Sequence, residues 1–99
     1  MIEIKAKIYL FKHGETVKKE ILDKYRPAFR FENNEIYFSG SIQLTEDLVK
    51  VQSGAQEVVS IYFNRNAATL DSIKVGATFG IYEPPIKFGE GEVLSVKVD

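Results

Sequence analysis

Cysteine is missing from all 99 residues, so the chain has no disulfide framework, no thiolate metal site and no thiol nucleophile. That composition suits a reducing compartment, and a cytoplasmic location is the expectation. Histidine occurs once, at His13. Without a second imidazole or a thiolate, a transition-metal site lacks its usual donors, and His13 beside Gly14 reads as a loop residue. Long apolar runs are also missing: nothing approaches the roughly 18 residues of a membrane span. The alternating start Ile2, Glu3, Ile4, Lys5 has no apolar centre of the kind a secretory leader carries. Neither a membrane role nor a leader is expected. No G-x-x-x-x-G-K-[ST] loop is present to cradle a nucleotide, and the serines stand in no nucleophile-elbow context. No repeat, linker or low-complexity tract divides the chain. One domain over residues 1–99 follows, large enough to bury about two-thirds of its unfolded surface.

The residues that are present describe an ordered protein. Hydrophobic residues make up 44% and charged residues 27%, too apolar and too balanced for a disordered chain. The net charge of −1 is unevenly spread along the sequence. Residues 1–30 carry eight Lys/Arg against four Asp/Glu, a net of +4, and residues 31–99 carry five against ten, a net of −5. A basic N-terminal third suits an anionic partner, unless folding mixes the two regions in space.

Period-two alternation dominates the chain. Ile2, Ile4, Ala6, Ile8 and Leu10 mark a half-buried first strand, which His13-Gly14 ends. Residues 16–22 are ambiguous between a helical turn and a short strand. From Asp23 to Leu44 the pattern predicts a long hairpin. Asn33-Asn34 serve as a two-residue type I′ loop, because Asn tolerates positive φ. That fold-back sets Phe31 opposite Ile36 and Phe29 opposite Phe38 on one inner face with Gly40, Ile42 and Leu44. A short strand follows around Val49 and Val51, then a turn at Ser53-Gly54. Gln56 to Phe63 is a strand with Val59, Ile61 and Phe63 inward. Leu70, Ile73 and Val75 are expected to tuck under the barrel floor. Ala77, Phe79 and Ile81 line a further strand ended by Pro84-Pro85. In the last strand, Ile86 to Val98, the residues Ile86, Phe88, Leu94, Val96 and Val98 share one phase. The same phase would bury Glu90 and Glu92, so a bulge at Gly89-Glu90-Gly91 is expected to turn them outward. Six or seven short strands predict an all-β antiparallel barrel or sandwich.

Several landmarks fall in a familiar order: Tyr25-Arg26-Pro27-Ala28-Phe29, Ser39-Gly40-Ser41-Ile42-Gln43-Leu44, Ser53-Gly54, then Gly76, Phe79, Ile81 and Glu83, and finally Gly89-Glu90-Gly91. Across nearly its whole length the chain resembles the third (C-terminal) domain of bacterial elongation factor Tu. The resemblance implies an all-β, six- or seven-stranded antiparallel Greek-key barrel standing alone, without the GTPase domain and second barrel of the similar factors. It also implies a link to translation, because this barrel of the family touches the T-stem of aminoacyl-tRNA. The departures bear on that contact. Ala28 replaces the Gln that follows Tyr-Arg-Pro, and Lys24 and Ile86 replace a Gly and an Arg. The hairpin tip reads Glu32-Asn33-Asn34-Glu35 in place of Arg-Thr-Thr. Two carboxylates at that tip would repel phosphate, the term that dominates RNA affinity.

No catalytic constellation is evident. Glu83, Glu90 and Glu92 read as a solvated strand face, with nothing to raise one pKa for acid–base work. Arg26 either pins the loop before Pro27 or offers its fork to a partner's carboxylate or phosphate. Tyr25 is either a barrel-end plug or a stacking platform. Tyr9, Phe11, Tyr37, Tyr62 and Tyr82 beside Lys5, Lys7 and Arg30 could pack across strands, stack single-stranded bases or form a docking patch. The expected function is therefore a non-enzymatic binding module without cofactor or metal. The leading expectation is a protein partner held at the hairpin edge by Tyr25, Arg26, Arg30 and Tyr37. The alternative is RNA held on the basic face by Lys5, Lys7, Lys24 and Arg30.

Overall fold

The computed structural model describes residues 1–12, 20–32, 34–64 and 71–98. Its strands are β1 (Ile2–Leu10), β2 (Glu20–Leu22), β3 (Ala28–Phe31), β4 (Phe38–Gln43), β5 (Lys50–Gln52), β6 (Gln56–Phe63), β7 (Thr78–Glu83) and β8 (Ile86–Val98). Six of them close into a barrel in the order β1-β6-β4-β3-β7-β8, and every pairing is antiparallel. β3, β4 and β6 follow one another around the wall, and β1 returns beside β6, which is the Greek-key connection. The short pair β2–β5 forms a separate small sheet.

The alternation read from the sequence produces the core. Ile2, Ile4, Ala6, Ile8 and Leu10 are fully buried, as are Ile42, Val59, Ile61 and Ile81. Phe29 meets Phe63 and Phe79 edge-on at 5.2 and 5.6 Å, and Phe31 packs on Phe38, Phe63 and Phe79. Such tilted contacts match the quadrupoles of the rings and add to the area they bury. Gly40 makes room for two of these rings, since a Cβ there would lie 2.8 Å from Phe63 Cε1 and 3.0 Å from Phe29 Cε2. Ile21 and Val51 from β2 and β5 join the same core, and the backbone bonds of Gly54 to Leu10 and Lys24 to Ile42 hold that small sheet over one end of the barrel. At the opposite end Ile73 is buried, and Asn34 Nδ2 donates to Ser72 Oγ at 2.9 Å.

Several expectations are corrected. Phe29 does face Phe38, but Phe31 and Ile36 are not paired. β3 ends at Phe31, β4 begins at Phe38, and Ile36 is 55% exposed. The connection is wider than two residues: the Asn34 N–H bonds Phe31 O and the Asn34 side chain accepts from the Ile36 N–H. That local side-chain bond competes with ladder pairing. Asn33 itself lies outside the described residues, as do His13 and Leu70. Val75 and Val49 face solvent rather than the core. Of residues 16–22, the described part, Glu20–Leu22, is strand.

The phase of β8 shifts twice, not once. Against β7, Ile81 pairs with Gly89 and Tyr82 with Lys87, leaving Phe88 as the extra residue. Against β1, Lys5 pairs with Ser95 and Ala6 with Val93, leaving Leu94 extra. Each bulge flips the side chains beyond it. Glu90 and Glu92 accordingly point outward, as expected, and Val93 is buried. Leu94 is half in solvent instead of inside, and Ile86 is exposed as well.

Candidate functional site

Closure of the barrel decides what the hairpin can offer. β3 is bonded to β7 along its whole length and to β4 through Ala28 and Phe29, so little of its backbone is left for strand addition by a partner. What remains is the outward side-chain face. The register sets it in rows. Ala28, Tyr82 and Lys87 form one; Arg30, Gly80, Glu90 and Tyr9 form the next; Thr78, Glu92 and Lys7 form a third.

Over these rows lies an open groove of about 640 Å³, lined by residues that include Lys7, Tyr9, Arg30, Glu32, Thr78, Gly80, Tyr82, Lys87, Glu90 and Glu92. Gly80 forms its floor. A Cβ there would stand 2.5 Å from Tyr82 Cε1 and 2.9 Å from Lys87 Cε, so the ring and the lysine stem lie flat across the glycine. Tyr37 packs against Tyr82 at 5.1 Å and 75°. Lys87 Nζ sits 3.8 Å from Glu90 and 5.9 Å from the centre of the Phe11 ring, which touches Tyr9. Arg30 is half-buried beside this groove. Its guanidinium has no hydrogen-bond or ion-pair partner among the described residues. The Thr78 hydroxyl in the same lining is buried and also has no hydrogen-bond partner among the described residues.

The four residues expected to hold a protein partner are only partly gathered. Arg30 and Tyr37 flank Tyr82. Arg26, on the same outer face, lines a shallower depression of about 370 Å³ with Ser39, Tyr82 and Glu83. Tyr82 thus joins the two. Arg26 Nη2 donates to Ser39 Oγ at 3.4 Å, a long contact that leaves most of its fork open. Tyr25 plays the structural part: its ring packs on Phe88, its backbone bridges Ile42 and its hydroxyl donates to the Glu83 carboxylate. Burial raises the pKa of that hydroxyl, and the hydrogen bond to Glu83 and its negative charge raise it further.

Of the residues expected on an RNA-binding face, Lys7 and Arg30 line the same groove, and Lys5 shares the outward face of β1 with Lys7. Lys5 donates to Ser60 Oγ at 2.7 Å, Lys7 stands across the strand from Glu92, and Lys24 sits at the end covered by β2 and β5, with φ of 67°. Folding therefore mixes the two charge regions, with Glu3 opposite Lys97 as a further example. The outer aromatics divide as well. Tyr9 pairs with Phe11 and Tyr37 with Tyr82, while Tyr62 lies across from Glu3 on β1.

Gly80, Lys87 and Thr78 line the candidate groove and were not singled out by pattern reading. The isolated glycine within Thr78-Phe79-Gly80-Ile81-Tyr82 was the available signal, because a strand glycine marks close approach. Among the described residues no group of three His, Asp or Glu side chains could hold a metal ion, and no helix is long and apolar enough to cross a membrane. No family model matches the chain, and no curated protein matches it.

Proposed function

We propose that the chain is a non-enzymatic interaction module that holds a protein partner on the outward face of β3, β4 and β7. The observation that carries this reading is Arg30, a half-buried residue with no hydrogen-bond or ion-pair partner among the described residues, in a groove that Tyr82 of the Tyr37–Tyr82 ring pair also lines. Arginine and tyrosine in a partly desolvated setting are the residues that most often dominate protein interfaces. Arg26 extends the same surface toward the β2–β5 end. Likeness to the third domain of elongation factor Tu, and with it a link to translation, belongs to the same reading. It is supported by the Greek-key order and by the place of Tyr25-Arg26-Pro27 against β4, through the Tyr25–Ile42 bridge and the Gly40-to-Pro27 bond. RNA is the weaker alternative, because a phosphate chain laid over Lys7 and Arg30 would also meet Glu90, Glu92 and Glu32.

The test is nuclease-treated affinity capture from cells of origin, comparing the wild-type protein with Arg30→Glu, Tyr37→Ala and the distant control Lys97→Glu. The reading expects a protein enriched by wild type and control and reduced about tenfold by both groove variants. Equal enrichment by all four proteins would contradict it. Enrichment abolished by nuclease would move the assignment to RNA.

A further inference from the structure

We propose that β8, where it runs past β7, pairs with the same stretch of a second copy of this chain, joining two barrels through one antiparallel ladder. The pairing of β8 with β7 stops at Glu92 opposite Thr78, and the backbone bonds of Val93 to Gly76 and Ala77 end that side. From Ser95 to Val98 the strand pairs with β1 alone. Among the described residues, the other side of Leu94 to Val98 has no backbone partner. An unpaired edge of this kind is a template for another strand. It is also open to solvent: Leu94, Ser95, Lys97 and Val98 are exposed and Val96 is half-buried. No proline interrupts the stretch, and its single charge, Lys97, lies across from Glu3 on β1.

The occupant is a second copy because the stretch is complementary to itself. Two copies of one strand pair antiparallel about a two-fold axis normal to the sheet, which keeps each face with its like. Opposite residues share a face and successive residues do not, so the axis must pass at a residue. Through Val96 it pairs all of Leu94–Val98 with one another: Val96 meets its own copy, Ser95 meets Lys97 and Leu94 meets Val98. Apolar side chains then face apolar side chains, and each Lys97 keeps Glu3 on one side while gaining a hydroxyl on the other. The neighbouring registers fit less well. An axis through Lys97 sets two ammonium groups directly opposite, which is destabilising. An axis through Ser95 brings Lys97 of each copy onto Val93, whose backbone is already engaged by Gly76 and Ala77. Val96 packs on the core, so the ladder carries the inner apolar face from one barrel to the next.

The chain has no cysteine, so introduced cysteines read the register directly. Opposite residues hold their Cα atoms about 4.5–5.5 Å apart, within the roughly 4.4–6.8 Å span of a disulfide. Diagonal residues, at about 7–8 Å, lie beyond it. Under mild oxidation Val96→Cys is expected to give a disulfide-linked dimer about tenfold faster than Ser95→Cys or Lys97→Cys alone. Ser95→Cys combined with Lys97→Cys is expected to crosslink as readily as Val96→Cys. Sedimentation equilibrium of the unaltered protein is expected to show monomer and dimer with a Kd of roughly 0.1 mM, as suits a small interface. Val98→Lys, at an exposed position, should weaken the dimer about tenfold, and adding Leu94→Glu, which sets a carboxylate across from the new ammonium, should restore it. If Val98→Lys does not fold, the cysteine variants decide. A protein that stays monomeric up to about 1 mM, crosslinking fastest at position 95 or 97, or a second substitution that leaves the dimer weak overturns the inference.

Discussion

Replacing Gly91 with alanine tests the packing that shapes this barrel. A Cβ at position 91 would lie 2.5 Å from Phe79 Cζ, 2.9 Å from Phe79 Cε1 and 3.0 Å from Ile8 Cγ2. Gly91 does not have positive φ, so alanine brings no backbone strain and the effect is one of space. The Phe79 ring cannot swing aside freely, because Phe31 and Phe29 hold it at 5.3 and 5.6 Å. Overpacking of this kind costs about 1–3 kcal/mol, and the fixed neighbours place the variant toward the upper end. Lower backbone entropy of the unfolded chain returns about 0.4–1 kcal/mol, leaving a net loss of about 2 kcal/mol. For a domain of this size that lowers Tm by roughly 8–16 °C. Urea denaturation followed by far-ultraviolet circular dichroism measures it, and a double-mutant cycle with Phe79→Leu isolates its cause. Gly91→Ala should cost markedly less in the Phe79→Leu background. A Gly91→Ala variant within 0.5 kcal/mol of wild type, or a cost untouched by Phe79→Leu, would refute the packing argument.

Other expectations follow from the same contacts. Phe29→Ala, which empties a fully buried site between Phe63 and Phe79, should cost about 3–5 kcal/mol and leave little folded protein in thermal melts. Tyr25→Phe removes the donor to Glu83 and should cost about 1 kcal/mol at neutral pH. Because the Tyr25 pKa is raised in the folded state, its contribution is intact below the unfolded value near 10 and declines as pH rises beyond it toward the folded value. Wild type should lose stability above about pH 10 more steeply than Tyr25→Phe, which equilibrium unfolding at pH 9 to 12 would show. Lys50→Ala breaks an exposed 3.3 Å pair with Glu20 and should change stability by no more than about 0.5 kcal/mol in the same assay.

The barrel was legible wherever one face of a strand is buried along its length. Ile2 to Leu10 and Val59, Ile61 and Phe63 could be placed from alternation alone, because a slip of one residue would put every apolar side chain in water. Alternation fails where the period breaks. The glycines of β8 announced a bulge, but nothing local to Val93 and Leu94 told which of two adjacent apolar residues would be the extra one; pairing with Lys5 and Ala6 across the barrel decides it. The Asn33-Asn34 tip was read by its turn propensity, and the side-chain bonds of Asn34 to the Ile36 N–H and to Ser72 show a different local use for one of those asparagines. Arg30 and Tyr37 could be named as surface residues of the hairpin. Their meeting with Tyr82, Lys87 and Glu90 depends on β3 lying beside β7 and β7 beside β8, more than forty residues away in sequence. The charge division along the sequence is mixed in space for the same reason, since Lys7 of β1 lies against Glu92 of β8 and Glu3 against Lys97.

Site-specific photocrosslinking in cells tests the docking claim most directly. A photoreactive phenylalanine analogue replaces Tyr37, beside the groove, or Tyr62, across from Glu3 on β1. The account predicts a discrete protein adduct from position 37 that disappears in an Arg30→Glu background, and no such adduct from position 62. The same adduct from both positions, or none from position 37, would contradict it.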